Sequence, residues 1–223
     1  MRVAILMPCL DEARALPAVI AGLQGSGARL VVSDNGSSDG SAGIARSLGA
    51  EVVNEPQRGY GGAVLAGMAH LRSDPPDIVV IMDADHSSFA EDLPALTGPI
   101  LRGEADLVLG ERLTLGERGS LTPPQRAGNA IATAYIRARS GQRFRDMGPF
   151  RAIRWTALED LRMEDRTWGW NVEMHFKALH TGLRVIEVPV RYRPRIGVSK
   201  ISGTVQGVAR AGAKIVWACW KYG

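Results

Sequence analysis

The sequence lacks the features that mark exported, disulfide-stabilised or membrane-spanning proteins. Its two cysteines, Cys9 and Cys219, lie at opposite ends of the 223 residues and indicate no disulfide framework. No uncharged apolar run approaches the roughly 18 residues that a membrane-spanning helix requires. The apolar run at the N-terminus stops at Asp11 and Glu12, which is too early for a secretion signal. We therefore expect a protein of the reducing cytoplasm.

Acidic residues are scarce in the second half of the chain, so the charge is divided unevenly. Residues 1–110 carry 7 basic and 14 acidic side chains, whereas residues 111–223 carry 20 basic and 9 acidic ones. An acidic half that can hold a cation, followed by a basic half, favours anionic ligands and phosphates above all. The alternative is that the basic residues only solvate surface helices. A nucleic-acid partner is not expected, because no zinc-finger, homeodomain or stacking-sheet signature is found.

Strand and helix signals alternate along the first half. Apolar runs predict strands at 2–7, 29–33, 51–54, 78–82 and 106–109, with helices at 13–23, 41–48 and 60–71 between them. This alternation predicts βαβ units in a mainly parallel sheet, where ligands bind beyond the carboxyl ends of the strands. The second half is less regular, with predicted helices at 122–140, 168–180 and 203–222 and strands at 147–153 and 184–192. No repeat or low-complexity linker interrupts the chain, which favours a single domain.

The strongest chemical signal is the pair Asp83 and Asp85, directly after the apolar run 78–82. With a bend at the strand end, both carboxylates can face one divalent ion, and hard carboxylate oxygens suit Mg²⁺ or Mn²⁺. One alternative is a pair of solvated turn aspartates that cap the next helix. Another is an aspartyl-nucleophile phosphatase, but that class carries the pair on its first strand and has Thr or Val where Ser87 stands here. The buried strand before the pair favours a metal site.

Two upstream segments accompany this pair, 7–12 after the first strand and 31–40 after the second. With Asp83-Ala84-Asp85 they resemble the family-2 glycosyltransferases of GT-A fold, which show a Pro-x-x-Asn/Asp-Glu opening, an Asp-x-Gly/Asn-Ser-x-Asp-Gly loop and an Asp-x-Asp metal site. The resemblance implies an α/β, Rossmann-like three-layer sandwich with a mixed, mostly parallel sheet. It implies that Mg²⁺ or Mn²⁺ binds at Asp83 and Asp85, and that the donor is contacted by Pro8, Leu10, Glu12, Asp34, Asp83, Ala84 and Asp85.

The later motifs are similar to those of the polyprenyl-phosphate hexosyltransferases within that family. Arg58-Gly59-Tyr60-Gly61-Gly62 matches a Gly-rich loop, whose amides are expected near a donor phosphate or base, with a plain helix-start loop as the alternative. Residues 110–112, 125–126, 146–151, 168–173 and 188–200 match further segments in order. The catalytic set that the resemblance implies is Asp85, Arg112, Arg126, Glu173, Arg191 and Lys200. It also implies a nucleotide-sugar and metal half over 1–110, an acceptor and phosphate half over 111–202, and a C-terminal amphipathic helix over 203–223.

The basic cluster after residue 190 is the second chemical signal. Alternation predicts that Arg191, Arg193 and Arg195 lie on one side of an extended segment, although Pro194 interrupts any ladder. Guanidinium groups bind phosphate in bidentate fashion, and Lys200 adds a mobile charge. A solvated edge strand protected by its charges is the alternative.

Two departures from the family pattern bear on mechanism. His86-Ser87-Ser88 replaces the usual Leu-Gln-His, so whether His86 or Ser87 contributes to the metal site stays open. Met174 follows Glu173 where sugar-acceptor enzymes carry an aspartate base. A phosphomonoester needs no such base, because its second pKa is about 6 and it is ionised at pH 7.

The sequence thus predicts inverting transfer of a hexose, mannose or glucose, from a GDP- or UDP-sugar to a polyprenyl phosphate. One alternative is a soluble small-molecule acceptor with Glu173 as base, and another is a non-catalytic module that binds nucleotide or lipid phosphate. The segment 205–222 mixes Trp and Tyr with basic residues, which is typical of a helix at a membrane interface, or alternatively of a helix packed on the domain. In the first case the protein is peripheral on the inner face of the cytoplasmic membrane.

Overall fold

The computed structural model describes residues 1–197 and 205–223. The strands within these ranges are β1 (Val3–Cys9), β2 (Arg29–Asp34), β3 (Glu51–Asn54), β4 (Ile78–Ile81), β5 (Leu107–Gly116), β6 (Arg151–Arg154) and β7 (Val185–Tyr192). The helices are α1 (Leu16–Leu23), α2 (Ser41–Ser47), α3 (Tyr60–Leu71), α4 (Leu93–Leu101), α5 (Pro123–Ser140), α6 (Trp155–Asp160), α7 (Trp170–His180) and α8 (Val205–Tyr222).

The strands form one seven-stranded sheet in the order β3-β2-β1-β4-β6-β5-β7. β6 runs antiparallel to both of its neighbours, β4 and β5, while the other paired strands are parallel. The predicted mixed, mostly parallel sheet is therefore confirmed. The carboxyl ends of β1, β2 and β4 meet at one edge, because these three strands are adjacent and point the same way.

Helices cover both faces of the sheet and give three layers. On one face, α1, α2 and α4 bury Leu16, Ile20, Leu96 and other apolar residues against the sheet. On the other face, α3, α6 and α7 bury their own apolar stripes, including Met68 and Trp170. Both faces of the central strands are thus shielded from solvent, and β4 accordingly consists of apolar residues only.

Two helices were not predicted, and two strands have bounds that differ from the prediction. β5, predicted over 106–109, continues to Gly116, where it still pairs with β7, and β6 begins later than predicted. α4 was not predicted, because Pro94 and Pro99 oppose a helix; Pro94 lies in its first turn, where its missing N–H is not needed. α6 is only six residues long and has too little periodicity to detect. The strand predicted at 147–153 begins only at Arg151, because the preceding segment forms hydrogen bonds from Met147 to the side chains of Asn129 and Asp146 instead of a ladder.

The start of α5 follows from its sequence. Thr122 and Gln125 form a reciprocal capping box ahead of the first turn, which begins with Pro123. α8 packs on α5 and α7 through Ala218 and Cys219, so one of its faces is buried on the domain. Among the helices of the described residues, none is long and apolar enough to cross a membrane.

The first turn of α3 packs closely against the main chain of the segment 164–167. A Cβ added at Gly61 would lie 1.9 Å from the carbonyl oxygen of Asp165. Gly61→Ala therefore forces the two segments apart, and we expect the free energy of unfolding to fall by about 1–3 kcal/mol in chemical denaturation.

Gly43→Ala is the matched control, because it also lies in a helix but its added Cβ would meet nothing within 4 Å. There we expect a gain of about 0.5–1 kcal/mol from the higher helix propensity of alanine. Equal stability of Gly61→Ala and wild type would show that α3 does not pack on 164–167 as described.

Candidate active site

Four carboxylates gather beyond the carboxyl ends of β1, β2 and β4. Glu12, Asp34 and Asp85 are buried, and Asp83 is partly buried. β1 lies between the other two strands, with Cys9 opposite Asp34 and Leu6 opposite Ile81. The parallel topology alone thus brings together acidic residues that lie far apart in the sequence.

Asp83 and Asp85 lack sufficient positive charge around them. Burial, followed by the charge of Asp85, raises the pKa of Asp83 to about 7. One oxygen of Asp85 accepts from the main-chain N and the Oγ of Ser87, at 2.9 and 2.5 Å. A divalent ion would offset this crowding of negative charge, and carboxylate oxygens are the ligands that Mg²⁺ and Mn²⁺ prefer, so the pair fits such an ion.

Asp83 and Asp85 are the protein ligands that the sequence predicts for this ion. Among the described residues, no group of three or more His, Cys, Asp and Glu side chains is arranged to hold a metal. His86 Nε2 accepts from Arg193 Nη2 at 2.7 Å, since a guanidinium can only donate, and Ser87 donates to Asp85. Both candidates for a third ligand are therefore engaged within the protein, which leaves two carboxylates for the metal.

The segment after β7 lies across the loop after β4. Arg193 N donates to the carbonyl of Ser87, and Ile196 N donates to the carbonyl of Asp85, both at 2.9 Å. Arg195 Nη1 lies 3.3 Å from Asp85 Oδ2, while its Nη2 donates to Glu12. A guanidinium thus bridges two acidic residues of the site and supplies part of the positive charge that they need.

The arginines of this segment bind different partners. Arg193 donates to the carbonyl and the ring of His86. Nε and Nη2 of Arg191 both donate to Asp92 Oδ1 and its main-chain N donates to Asp92 Oδ2, with N–O distances of 2.7–2.9 Å, and the guanidinium lies over the Phe89 ring. The expectation that Arg191 is open to a phosphate is therefore wrong for this conformation, because Asp92 occupies its guanidinium. Lys200 lies outside the described residues.

Arg112 is held in place by the buried Asp146. Its Nε and Nη2 donate to the two carboxylate oxygens at 2.7 and 2.8 Å, and its main-chain N donates as well. Burial alone would raise the pKa of Asp146, but hydrogen bonds and charge from Arg112 outweigh it and hold that pKa below its usual value. The charge of Arg112 also reaches Asp83, whose pKa it lowers. A fixed cation therefore stands near the acidic site, while Arg126 is exposed on the first turn of α5.

Glu173 does not lie in a position to act as a base. It is fully buried, and its two carboxylate oxygens accept from the main-chain N of Glu164 and of Asp165, each at 2.8 Å. Lys177 Nζ lies 2.7 Å from one of these oxygens. The Glu173 carboxylate thus anchors the segment 164–167, on which α3 packs. This placement does not support the expected role of Glu173 as a general base.

The amides of the Gly-rich loop are also engaged within the protein. Gly59 N donates to Asn35 Oδ1 at 2.7 Å, and the amides of Gly61 and Gly62 donate to the carbonyls of Thr167 and Arg166. The expectation that these amides approach a phosphate is therefore wrong in this conformation. The glycines instead allow α3 to approach the segment 164–167. Contact of Arg58 and Gly59 with a donor stays a prediction.

The two segments expected to hold a nucleoside are tied to each other. Asp11 N donates to Ser37 Oγ and Ser38 N donates to Asp11 Oδ1, at 2.9 and 2.8 Å. Asp34 Oδ1 is buried and has no hydrogen-bond partner among the described residues. An acceptor atom left in this state costs free energy, so it is suited to receive a donor group from a ligand. Pro8 and Leu10 flank Cys9, which lies opposite Asp34, and both are partly buried.

Two buried groups near the site were missed from the sequence. The hydroxyl of Tyr60 has no partner among the described residues, and burial, then the charge of Asp83, holds its pKa well above the usual value. Arg151 is completely buried, which lowers its pKa to about 10. An aromatic residue within a glycine-rich loop was the only sequence signal for Tyr60.

Replacing Arg195 tests the bridging contact. Arg195→Ala leaves Glu12 and Asp85 without that cation, so we expect the free energy of unfolding to fall by about 1–3 kcal/mol in EDTA. The loss is smaller than for a fully buried pair, because the Arg195 side chain is 26% exposed. Mn²⁺ with a nucleoside diphosphate should reduce the deficit, because it supplies positive charge at Asp85.

Thermal unfolding with EDTA and with Mn²⁺ measures both effects. Arg72→Ala is the control, since it removes only the surface pair with Glu159 and should show a small deficit that does not depend on the ion. A deficit of Arg195→Ala that is the same in both conditions would contradict the proposal that Arg195 and the ion share Asp85.

Comparison with known proteins agrees with this geometry. The sequence profile described as glycosyl transferase family 2 matches residues 4–162. An uncharacterised glycosyltransferase of Mycobacterium tuberculosis is 41% identical over 207 residues, covering 92% of each chain. A dolichyl-phosphate hexose transferase of Haloferax volcanii is 33% identical over 221 residues, covering 97% of this chain and 93% of the relative.

Among solved structures, the fold is similar to glucosyl-3-phosphoglycerate synthase from Mycobacterium tuberculosis in complex with Mn²⁺, UDP-glucose and phosphoglyceric acid. The TM-score is 0.77 at 19% identity, over 98% of this chain and 80% of that one. This likeness shows the GT-A fold, as expected from the sequence. The profile match over most of the chain, with relatives of this identity, shows that the chain belongs to glycosyl transferase family 2 and is a nucleotide-sugar-dependent glycosyltransferase.

Proposed function

We propose that the protein transfers a hexose, mannose or glucose, from a GDP- or UDP-sugar to a polyprenyl phosphate, with inversion at the anomeric carbon. The observation that carries the proposal is the guanidinium of Arg112, fixed by buried Asp146 near the acidic site. Such a cation suits a phosphate acceptor better than a neutral hydroxyl. The name of the Haloferax volcanii relative points the same way.

The donor is proposed to bind at the carboxyl ends of β1, β2 and β4. The nucleoside would contact Pro8, Leu10, Glu12 and Asp34, whose Oδ1 lacks a partner among the described residues. Asp83 and Asp85 would hold Mg²⁺ or Mn²⁺, with Ala84 between them beside the donor. When bound, the ion offsets the charge that develops on the departing nucleoside diphosphate.

The acceptor phosphate needs no base. Its oxygen is already ionised at pH 7 and attacks the anomeric carbon, while the bond from that carbon to the diphosphate oxygen breaks on the opposite face. Arg112 would orient the acceptor phosphate, and Arg126, exposed on the first turn of α5, would offset its charge. Both Arg112 and Arg191 are paired with a carboxylate, Asp146 and Asp92 respectively, so each would have to give up hydrogen bonds to that partner or share itself with it to contact the phosphate. Lys200 is proposed to contribute on the sequence argument alone.

The halves of the chain are proposed to divide this work. Residues 1–110 supply the donor and metal side, residues 111–202 the acceptor side, and residues 203–223 an amphipathic helix. A polyprenyl acceptor is confined to a bilayer, so the enzyme is proposed to act as a peripheral protein on the cytoplasmic face of the membrane. The alternative with a soluble acceptor requires Glu173 as base, which its burial does not favour.

The proposed reaction is tested with labelled GDP-mannose and UDP-glucose, Mn²⁺, and either a short-chain polyprenyl phosphate or 3-phosphoglycerate. We expect transfer to the polyprenyl phosphate, abolished by EDTA and reduced at least about 100-fold in Asp85→Asn. Asp74→Asn, which alters a surface carboxylate paired with Arg2, is the control and should keep full activity. Transfer to phosphoglycerate but not to the polyprenyl phosphate would refute the proposal.

Glu173→Gln separates an anchor from a base. The amide nitrogen of Gln would face a main-chain N–H, so one of two buried hydrogen bonds is lost, and we expect the free energy of unfolding to fall by about 1–3 kcal/mol. Turnover per folded molecule and its pH profile should stay close to wild type. Complete loss of turnover with unchanged stability would restore Glu173 as a general base.

A further inference from the structure

Helices α5 and α8 lie side by side and together contain no acidic residue. Gly128 of α5 faces Ile215 of α8, and the two helices share a hydrophobic cluster that includes Ile136, Ala218 and Cys219. α5 carries three basic residues, and α8 also carries three. The wider segment 118–145 contains six arginines and no Asp or Glu. The sequence of these two helices therefore supplies cationic charge and no acidic residue to balance it.

The outer side of this pair is unusually apolar for an exposed surface. Val216 is 57% exposed, Trp217 40%, Trp220 74% and, on α5, Ile131 57%. Val216 and Trp220 are four residues apart, so they lie on one stripe of α8, while Ile215, Ala218 and Cys219 form the side packed on the domain. Burial on the protein thus accounts for one face of α8 and leaves the Trp-containing face open.

The lysines of α8 lie on its flank. Lys214 Nζ is 2.9 Å from Asp165 Oδ2, and Lys221 Nζ is 2.7 Å from Glu164 Oε1. Both also lie over the ring of Trp217, at 3.5 and 5.1 Å from its centroid. These contacts fix the orientation of α8 on the domain, so the exposed stripe is presented in a defined direction.

We propose that this α5–α8 face, consisting of Ile131, Val216, Trp217 and Trp220 with the arginines of α5 around it, docks on an anionic phospholipid bilayer. Trp and Val would enter the boundary between headgroups and acyl chains, while guanidinium groups such as Arg137 contact lipid phosphates. A second copy of the chain fits this face poorly, because a two-fold dimer would set two acid-free cationic helix pairs against each other. The partner that matches an apolar stripe bordered by positive charge is a negatively charged lipid surface.

The position of this face suits a lipid-linked acceptor. Asn129 of α5 accepts from Met147 N and donates to the carbonyl of Arg145, at 2.7 and 3.0 Å. Those residues flank Asp146, which holds Arg112. The docking helix is thus directly connected to the loop that positions the proposed acceptor site. In this respect the inference rests on the proposed function, although the docking itself does not.

Vesicle binding tests the docking. The full chain is sedimented with vesicles of phosphatidylglycerol and phosphatidylcholine in equal parts, and with vesicles of phosphatidylcholine alone. We expect binding to the anionic vesicles that weakens as salt is raised. The double variant Val216→Ser with Trp220→Ser should bind at least about 10-fold more weakly, since it removes apolar area that would enter the bilayer.

Two further variants keep this result interpretable. Leu101→Ser, 50% exposed on α4, is the matched control and should bind vesicles as wild type does. Arg137→Glu should weaken binding to the anionic vesicles and leave binding to phosphatidylcholine vesicles unchanged. Because Arg137 is exposed, we expect this variant to fold as the wild type does. The docking is overturned if the wild-type protein does not bind the vesicles. It is also overturned if the double variant and Arg137→Glu bind them as strongly as the wild type does. Dimerisation in light scattering that the double variant abolishes would overturn it as well.

The acceptor assay distinguishes docking from the proposed function. With a short-chain polyprenyl phosphate dissolved in buffer, the double variant should match wild type, whereas transfer to a long-chain acceptor in anionic vesicles should fall about 10-fold. Vesicle binding without transfer to either acceptor would refute the proposed function and leave the docking in place. Transfer to the short-chain acceptor without vesicle binding would support the proposed function and refute the docking.

Discussion

The crowding of negative charge at one edge of the sheet is the constraint on which the site depends. Parallel strands β1, β2 and β4 end together, so Glu12, Asp34, Asp83 and Asp85 are brought close although they are distant in sequence. Carboxylates in this arrangement raise one another's pKa unless cations lie near them. Asp83 shows the effect directly, with its pKa raised to about 7 by burial and by Asp85. The fold thus creates a demand for positive charge at the place where a metal and a donor would bind.

The second half of the chain meets part of this demand with arginines held by specific partners. Arg195 reaches Asp85 and Glu12 from the segment after β7, and Arg112 is fixed by buried Asp146. The remaining arginines of that segment are held by Asp92 and His86. Arg195 contacts Asp85, one of the two carboxylates proposed for the metal, so we expect it to adjust when an ion and a diphosphate enter. Donor binding is therefore expected to be coupled to the segment after β7.

Much of the fold, and the gathering of carboxylates at one edge of the sheet, could be predicted from the sequence, because the signals are local. The apolar run before Asp83 and the alternation of strands and helices predicted the sheet and its ligand-binding edge. The roles of Glu173 and of the Gly-rich loop could not be predicted, because their partners are main-chain groups at 164–167 that no side-chain pattern reveals. α4 was missed because the low helix propensity of its two prolines is overridden by packing on the sheet. The pairing of Arg191 with Asp92 could not be predicted, because it depends on tertiary contacts alone.

In the proposed mechanism, Asp83 and Asp85 hold a divalent ion together with the donor diphosphate. Titration of Mn²⁺ followed by electron paramagnetic resonance, with and without UDP or GDP, measures this binding. We expect that either UDP or GDP increases the binding of Mn²⁺ to the wild type, so that the free Mn²⁺ signal falls strongly, and that it has no such effect with the double variant Asp83→Asn with Asp85→Asn. Equal Mn²⁺ binding by both proteins in the presence of nucleotide would contradict it.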